Sequence, residues 1–283
     1  MCIRDSLIQL MEGVEDIPGT ALHEGIDWEW ETFPEFLDAI EKKEFVMDLG
    51  FMIGHGPVRS YVMGYDRCQN QVDASKDEIN QMSEIVEKAI NAGALGFSTS
   101  RTILHRDVHG VYVPGTEASS EEMKELAFAV DRAGEGTLEI VSDWLDQEIE
   151  MSWMKEYVEK SDCGLTVLQT NGDSVKTILY CEEQFLKGKN VRPQFPGRNV
   201  GLMFGLESSL HPFIGHPSYK EISHLPLNER LSIMRDPAFK QKILNESPSF
   251  REDLQKAAKE QKSNKTKEEI KAEAEIGLSL IHI

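Results

Sequence analysis

The sequence predicts an α/β fold, a parallel sheet with crossover helices, and three observations predict it. Short β-branched or apolar runs alternate with amphipathic helical stretches, which is the pattern left when each helix buries one face against a sheet. The helical stretches open on serine caps and close on glycine, as helix ends require. The strand-like runs end on small or polar residues, where a β/α fold sets its loops.

The elements follow in order. After a tryptophan-rich lead-in, residues 45–53 (FVMDLGFMI) read as a strand ending at Gly54-His55-Gly56. Ser75 and Glu78 form a capping box, and Ile79, Met82, Ile85, Val86, Ala89 and Ile90 keep helical spacing up to Gly93. Residues 94–97 read as the next strand, ending in Ser98-Thr99-Ser100-Arg101. The connection over 102–117 is long, and loops of that length are usually functional or disordered. A serine-capped helix over 120–133 follows, closed by Gly134. The strand at 138–141 ends at Ser142-Asp143 and leads to a helix through Trp153 and Tyr157. The strand at 165–168 ends at Gln169, with a helix over 174–186. The strand at 191–194 opens a long segment to about residue 223, and from Pro226 the pattern is helical only. These are five consecutive strand-helix units, where a closed (β/α)8 barrel takes about eight.

Composition bounds the rest. The chain has 283 residues, 40% hydrophobic and 8% aromatic, enough to fill a core. No apolar run approaches the roughly 18 residues of a membrane span, so a soluble, cytoplasmic protein is expected. The 49 acidic against 30 basic residues give a net charge of −19, which repels nucleic acid and anionic membranes. Cys68, Cys163 and Cys181 are widely spaced without a CxxC pair, so reduced thiols are expected, not a disulfide framework or thiolate zinc site.

Both ends read as foreign. MCIRDS (1–6) and LSLIHI (278–283) can be encoded by opposite strands of one DNA segment, ATGTGTATAAGAGACAG and its reverse complement. A translated adapter, common in assembled metagenomic sequence, is the expectation for both. Cys2 and His282 then carry no chemistry, and the missing natural start leaves a signal peptide open. The expected organisation is a partial barrel domain over 7–235 and a charged helical segment over 236–277. Its stretch 251–275, rich in lysine and glutamate, reads as a solvated helix.

Several phrases carry a family resemblance. MEGVEDIPGTALHEGIDWEWETFPEFLDAI (11–40), IGHGPVRSYVMG (53–64), GALGFSTSRTILHRDVHGVYVPGT followed by SSEEMKEL, and RPQFPGRNVGLMFGLESSLHPF occur in this order. Together they resemble the N-acyl-D-amino-acid deacylase (D-aminoacylase) branch of the amidohydrolase superfamily, amidohydrolase-3 type, over about residues 7–235. The resemblance implies a partial TIM (β/α)8 barrel of the metal-dependent hydrolase kind, with about strands three to seven present. It implies a hydrolase acting on non-peptide carbon-nitrogen bonds of linear amides, with zinc or another divalent metal as cofactor. Its partner would be a small-molecule N-acyl amino acid or related amide. The metal motif and the catalytic aspartate of such enzymes lie on strands one, two and eight, so the chain alone is expected to be inactive.

The sequence departs from that pattern where the family carries histidine at the ends of strands five and six. Here stand Ser142-Asp143 and Gln169-Thr170. Asp143 is the candidate replacement metal ligand and Gln169 a candidate pocket residue. The alternative is a barrel that has lost its catalytic metal and serves as a small-molecule binding protein. Other substrate-binding candidates are His55, Arg101, His105, Arg106 and Arg192: arginine suits a substrate carboxylate, and His55 stands between two glycines at a strand end. His211 and His216 precede Pro212 and Pro217 and read as turns. Trp28 and Trp30 read as packing residues, and the carboxylates of 27–31 as a solvated helix flank.

Overall fold

The structure, a computed structural model, describes residues 3–15, 17–107, 111–144, 146–169, 175–197, 205–206, 211–213 and 215–248. Residues up to Pro196 belong to one compact unit and the described residues from Gly197 to 248 to a second.

In the first unit three helices, α1 (Ile3–Glu15), α2 (Gly19–Gly25) and α3 (Phe33–Glu41), precede strand β1 (Ile53–Gly54). Then come α4 (His55–Met63), α5 (Tyr65–Gln69), α6 (Lys76–Asn91), β2 (Gly96–Arg101), α7 (Ser120–Arg132), β3 (Thr137–Ser142), α8 (Gln147–Lys160), β4 (Gly164–Leu168), α9 (Val175–Leu186) and β5 (Val191–Gln194). The sheet order is β1-β2-β3-β4-β5, and every neighbouring pair is parallel.

That order decides the architecture. Parallel crossovers are right-handed, so strands laid down in chain order put their helices on one face, as in a barrel wall. A doubly wound sheet reverses its order and covers both faces. Consistent with a single helical layer, α6 packs on α4 and α7, and α7 on α8. The partial barrel read from the sequence is therefore the fold.

The core lies between the sheet and that layer. Phe97, Leu138, Ile140, Leu165, Val167 and Val191 meet Met82, Val86, Met123, Leu126, Met154 and Tyr157. Burying each such side chain contributes roughly 1.5–3 kcal/mol. The opposite face is different in kind. One register row there runs Gly54, Ser98, Glu139, Thr166 and Arg192 across all five strands, and its Ser98, Glu139 and Thr166 are half-buried. Closed barrels fill this interior with bulky branched residues; this row is polar.

The helix starts agree with the caps. Ser75 and Glu78 exchange both capping-box hydrogen bonds, and Ser119 accepts from Glu122 N at the start of α7. The strands differ more. Of the expected 45–53 strand only Ile53 lies in β1, which it forms with Gly54, although Leu95 N donates to Phe51 O at 2.7 Å. Phe45, Val46 and Met47 are exposed; among the described residues no further strand lies beside this segment to pair with it. Strand β2 begins two residues later than expected, at Gly96. A Cβ on Gly96 would lie 1.9 Å from Thr137 O, so only glycine lets the two backbones approach this closely.

Trp28 and Trp30 stack at 6.1 Å, and Trp30 and Phe51 both contact Phe36, which agrees with a packing role. In the second unit α10 (Pro217–Ile222), α11 (Leu227–Met234) and α12 (Pro237–Leu244) gather around Tyr219, Ile222 and Ile243. His216 caps α10 with Pro217 behind it, and His211 lies against Tyr219, so both occupy turn and packing positions. No helix among the described residues is long and apolar enough to cross a membrane.

Candidate functional site

The two-residue alternation of β2 divides its side chains. Phe97, Thr99 and Arg101 face the helices, while Ser98 and Ser100 face away. On β3, Leu138 and Ile140 take the helix side, so Glu139, Val141 and, one step past the strand, Asp143 take the other. Polar groups accordingly collect in two sets at the ends of these strands.

The helix-side set is buried. His55 is not in a strand-end loop; it opens α4 and is only 2% exposed. Its Nε2 lies 2.8 Å from Glu122 Oε1 and its Nδ1 2.9 Å from Thr99 Oγ1. Arg59 Nε donates to the same Glu122 oxygen at 2.8 Å. Burial, opposed by Glu122, lowers the His55 pKa and keeps the ring neutral. Burial alone would raise the Glu122 carboxyl, but the hydrogen bond from His55 and the hydrogen bond and charge of Arg59 outweigh it and hold it below the usual range. An ionised Glu122 cannot donate, so Nε2 of His55 carries the hydrogen and Nδ1 accepts from the Thr99 hydroxyl.

Arg101 is a second brace. Its Nε reaches both Glu150 oxygens at 2.9 and 3.0 Å, and Nη2 reaches Oε1 at 2.6 Å. Nη1 donates to the carbonyls of Gly115 and Ala118. The side chain thereby ties both ends of the long loop to α8. The placement of His55 and Arg101 inside the protein gives a ligand contact by either no support.

The set on the open face lies at the ends of β2 and β3. Asp143 accepts from Thr102 Oγ1 and from Ile103 N, both at 2.7 Å. Ser100 Oγ lies 2.6 Å from His105 Nδ1. Burial lowers the His105 pKa although Glu15 and Asp143 pull it up, so the ring is a poor cation near neutrality. Arg106 Nε donates to Ile103 O, and its guanidinium sits 4.3 Å over the Tyr112 ring.

Gln169 and Arg192 stand apart from these, at β4 and β5. Gln169 is 1% exposed; its Nε2 donates to Val167 O, while Oε1 is buried with no partner. An orphaned acceptor costs about 1–3 kcal/mol, and it is the one feature here that suits a pocket residue. Arg192 is exposed on the edge strand, 4.1 Å over Phe185. Thus the structure brings Asp143 and His105 together, sets His55 and Arg101 on the other face, and leaves Gln169 and Arg192 separate.

The described residues offer no group that fits a metal. Both Asp143 oxygens already accept hydrogen bonds, and no group of three His, Cys, Asp or Glu among the described residues could hold an ion. Cys68, Cys163 and Cys181 are free, and burial pushes the Cys181 thiol up to about 11, which leaves it unreactive. Sequence reasoning did not find Arg59, Glu122 or Glu150. Glu122 was hidden in a run that reads as a helix start, and Glu150 in an acidic first turn.

No family model matches the chain. Among curated proteins, a D-aminoacylase of Alcaligenes xylosoxydans xylosoxydans is 30% identical over 121 residues, 43% of this chain and 22% of that protein. An uncharacterized protein of Mycobacterium tuberculosis is 30% identical over 70 residues, 24% of this chain and 12% of that protein. The matches thus span less than a quarter of the relatives' length. Two solved structures are similar at a TM-score of 0.45: a D-aminoacylase mutant in complex with copper chloride, 21% identical, covering 58% of this chain and 33% of that one, and a zinc- and phosphonate-bound N-acyl-D-glutamate deacylase of Bordetella bronchiseptica, 19% identical, covering 57% and 33%. The resemblance read from the motifs is borne out as a similarity: over 43% of its length the chain is similar to a D-aminoacylase.

Proposed function

We propose that this chain supplies the middle sector of a barrel that hydrolyses non-peptide carbon-nitrogen bonds of linear amides, N-acyl-D-amino acids being the substrate class. The observation that carries this is the 121-residue match to a D-aminoacylase, supported by a strand order that gives a barrel wall. Zinc or another divalent ion, the cofactor the resemblance implies, needs ligands from outside the described residues. The unpartnered Oε1 of Gln169, buried one residue past β4, is the polar group that suits a pocket residue.

The test compares this chain with one extended at both ends by its neighbouring coding sequence, each given N-acetyl-D-amino acids and zinc. Amine release by the extended protein alone is the expected result. Turnover by the present chain would show that no further strands are needed. An extended protein that binds these amides without cleaving them would replace the hydrolase with a binding protein. That second reading is favoured by one observation, the engagement of both Asp143 oxygens by the loop.

A further inference from the structure

A neutral imidazole has one N–H and one bare nitrogen, and which is which decides what the ring can hold. His105 lies in the loop after β2, half-buried, with Nδ1 2.6 Å from Oγ of Ser100 on the open face. N–H donors sit about 2.7–3.2 Å from their acceptors and hydroxyl donors about 2.5–3.0 Å, so here the Ser100 hydroxyl donates and Nδ1 accepts. The ring hydrogen is then on Nε2, which has no hydrogen-bond partner among the described residues. From this geometry we propose that His105 is a substrate-binding group whose Nε2–H donates to the carbonyl oxygen of the amide that is cleaved.

Three features support the assignment. The ring is carried on a fixed piece of chain: His105 N donates to Thr102 O, its carbonyl accepts from Val113 N, and Asp143 holds Thr102 and Ile103. A donor already in place loses little freedom when it binds. Burial keeps the ring uncharged although Glu15 and Asp143 favour the proton. Those two carboxylates also select the oxygen: they repel a substrate carboxylate at close range and leave an uncharged amide carbonyl undisturbed.

The role asks for no proton transfer and no bond to the substrate, so it is compatible with the metal-dependent amide cleavage proposed above. His55 forms a similar pair with Thr99, but its Nε2–H is taken by Glu122. The place of the hydrogen on His105 stands on geometry alone; the identity of the oxygen rests on the amide-hydrolase reading.

Long-range proton–nitrogen correlation spectra of the histidine-labelled full chain at pH 7 decide the first point, with His105→Gln identifying the signal. A hydrogen on Nε2 is expected, and Ser100→Ala is expected to shift part of it to Nδ1. A hydrogen on Nδ1 in the unmutated chain overturns the proposal. The extended protein, given zinc and N-acetyl-D-leucine, decides the second point. His105→Phe, which keeps a ring but no donor, is expected to lower kcat/KM about tenfold, and His105→Gln, which restores an N–H, to recover most of it. An unchanged rate in His105→Phe, or no recovery in His105→Gln, overturns the donor role. An unmutated extended protein that cleaves no N-acyl-D-amino acid, while the chain carries the hydrogen on Nε2, removes the amide reading and with it the assigned oxygen, but not the tautomer.

Discussion

At the scale of single residues, Glu122 holds two partners that have no access to water, so its loss leaves Arg59 as an unpaired buried cation. Breaking such a pair costs about 3–5 kcal/mol, and Glu122→Gln is expected to lower the urea midpoint accordingly. The same residues set a pH dependence. His55 and His105 both have pKa values below the ordinary 6.5, so the unfolded chain binds more protons than the folded one below that pH. Stability contributed by these rings is present above about pH 6.5 and is lost as pH falls through it. Urea unfolding at pH 7 and pH 5 is expected to show the loss, and His55→Gln to reduce it. Gly115 is constrained twice: its φ is +98°, and a Cβ would lie 2.6 Å from His55 Nδ1. Gly115→Ala is expected to cost about 1–3 kcal/mol, more than Gly134→Ala, where a Cβ meets open space.

At the scale of elements, the loop between β2 and α7 owes its position to side chains outside itself. Arg101 grips Gly115 and Ala118 at one end, and Asp143 grips Thr102 and Ile103 at the other. Arg101→Ala is expected to speed amide hydrogen exchange of Asp107 and Val113, whose N–H groups bond within the loop, with little change in the core strands. Which elements could be read from sequence follows from the range of the forces that make them. Helices α6 and α7 were legible because a cap and an apolar stripe are local. The extent of β1 was not, because a run with seven apolar residues in nine looks the same with or without a neighbour to pair with. The start of β2 was missed because the reason for Gly96 lies on another strand, at Thr137. The site divides likewise: Asp143 was found as a polar residue at a strand end and His105 as a residue of the long loop. Glu122 and Ser100 were not, since their importance depends on partners 67 and 5 residues away respectively.

At the scale of the whole molecule, a sheet in chain order whose edges β1 and β5 have no further strand among the described residues governs behaviour in solution. β1 has only two paired residues and is preceded by the exposed Phe45, Val46 and Met47, while β5 carries Pro193 and is followed by the exposed Phe195. Natural sheets cover or charge such edges, so the isolated chain is expected to melt broadly and to associate as its concentration rises. A sharp two-state calorimetric transition, unchanged with concentration, would contradict this. The row of Ser98, Glu139, Thr166 and Arg192 sets a further condition on closure. Burying hydroxyls and a carboxylate costs free energy unless they are hydrogen-bonded, so any element that covers this face has to bring polar partners as well as apolar contacts. For the half-buried Glu139 in the middle strand that partner is a donor, which makes the choice of neighbour a matter of hydrogen bonding and sign.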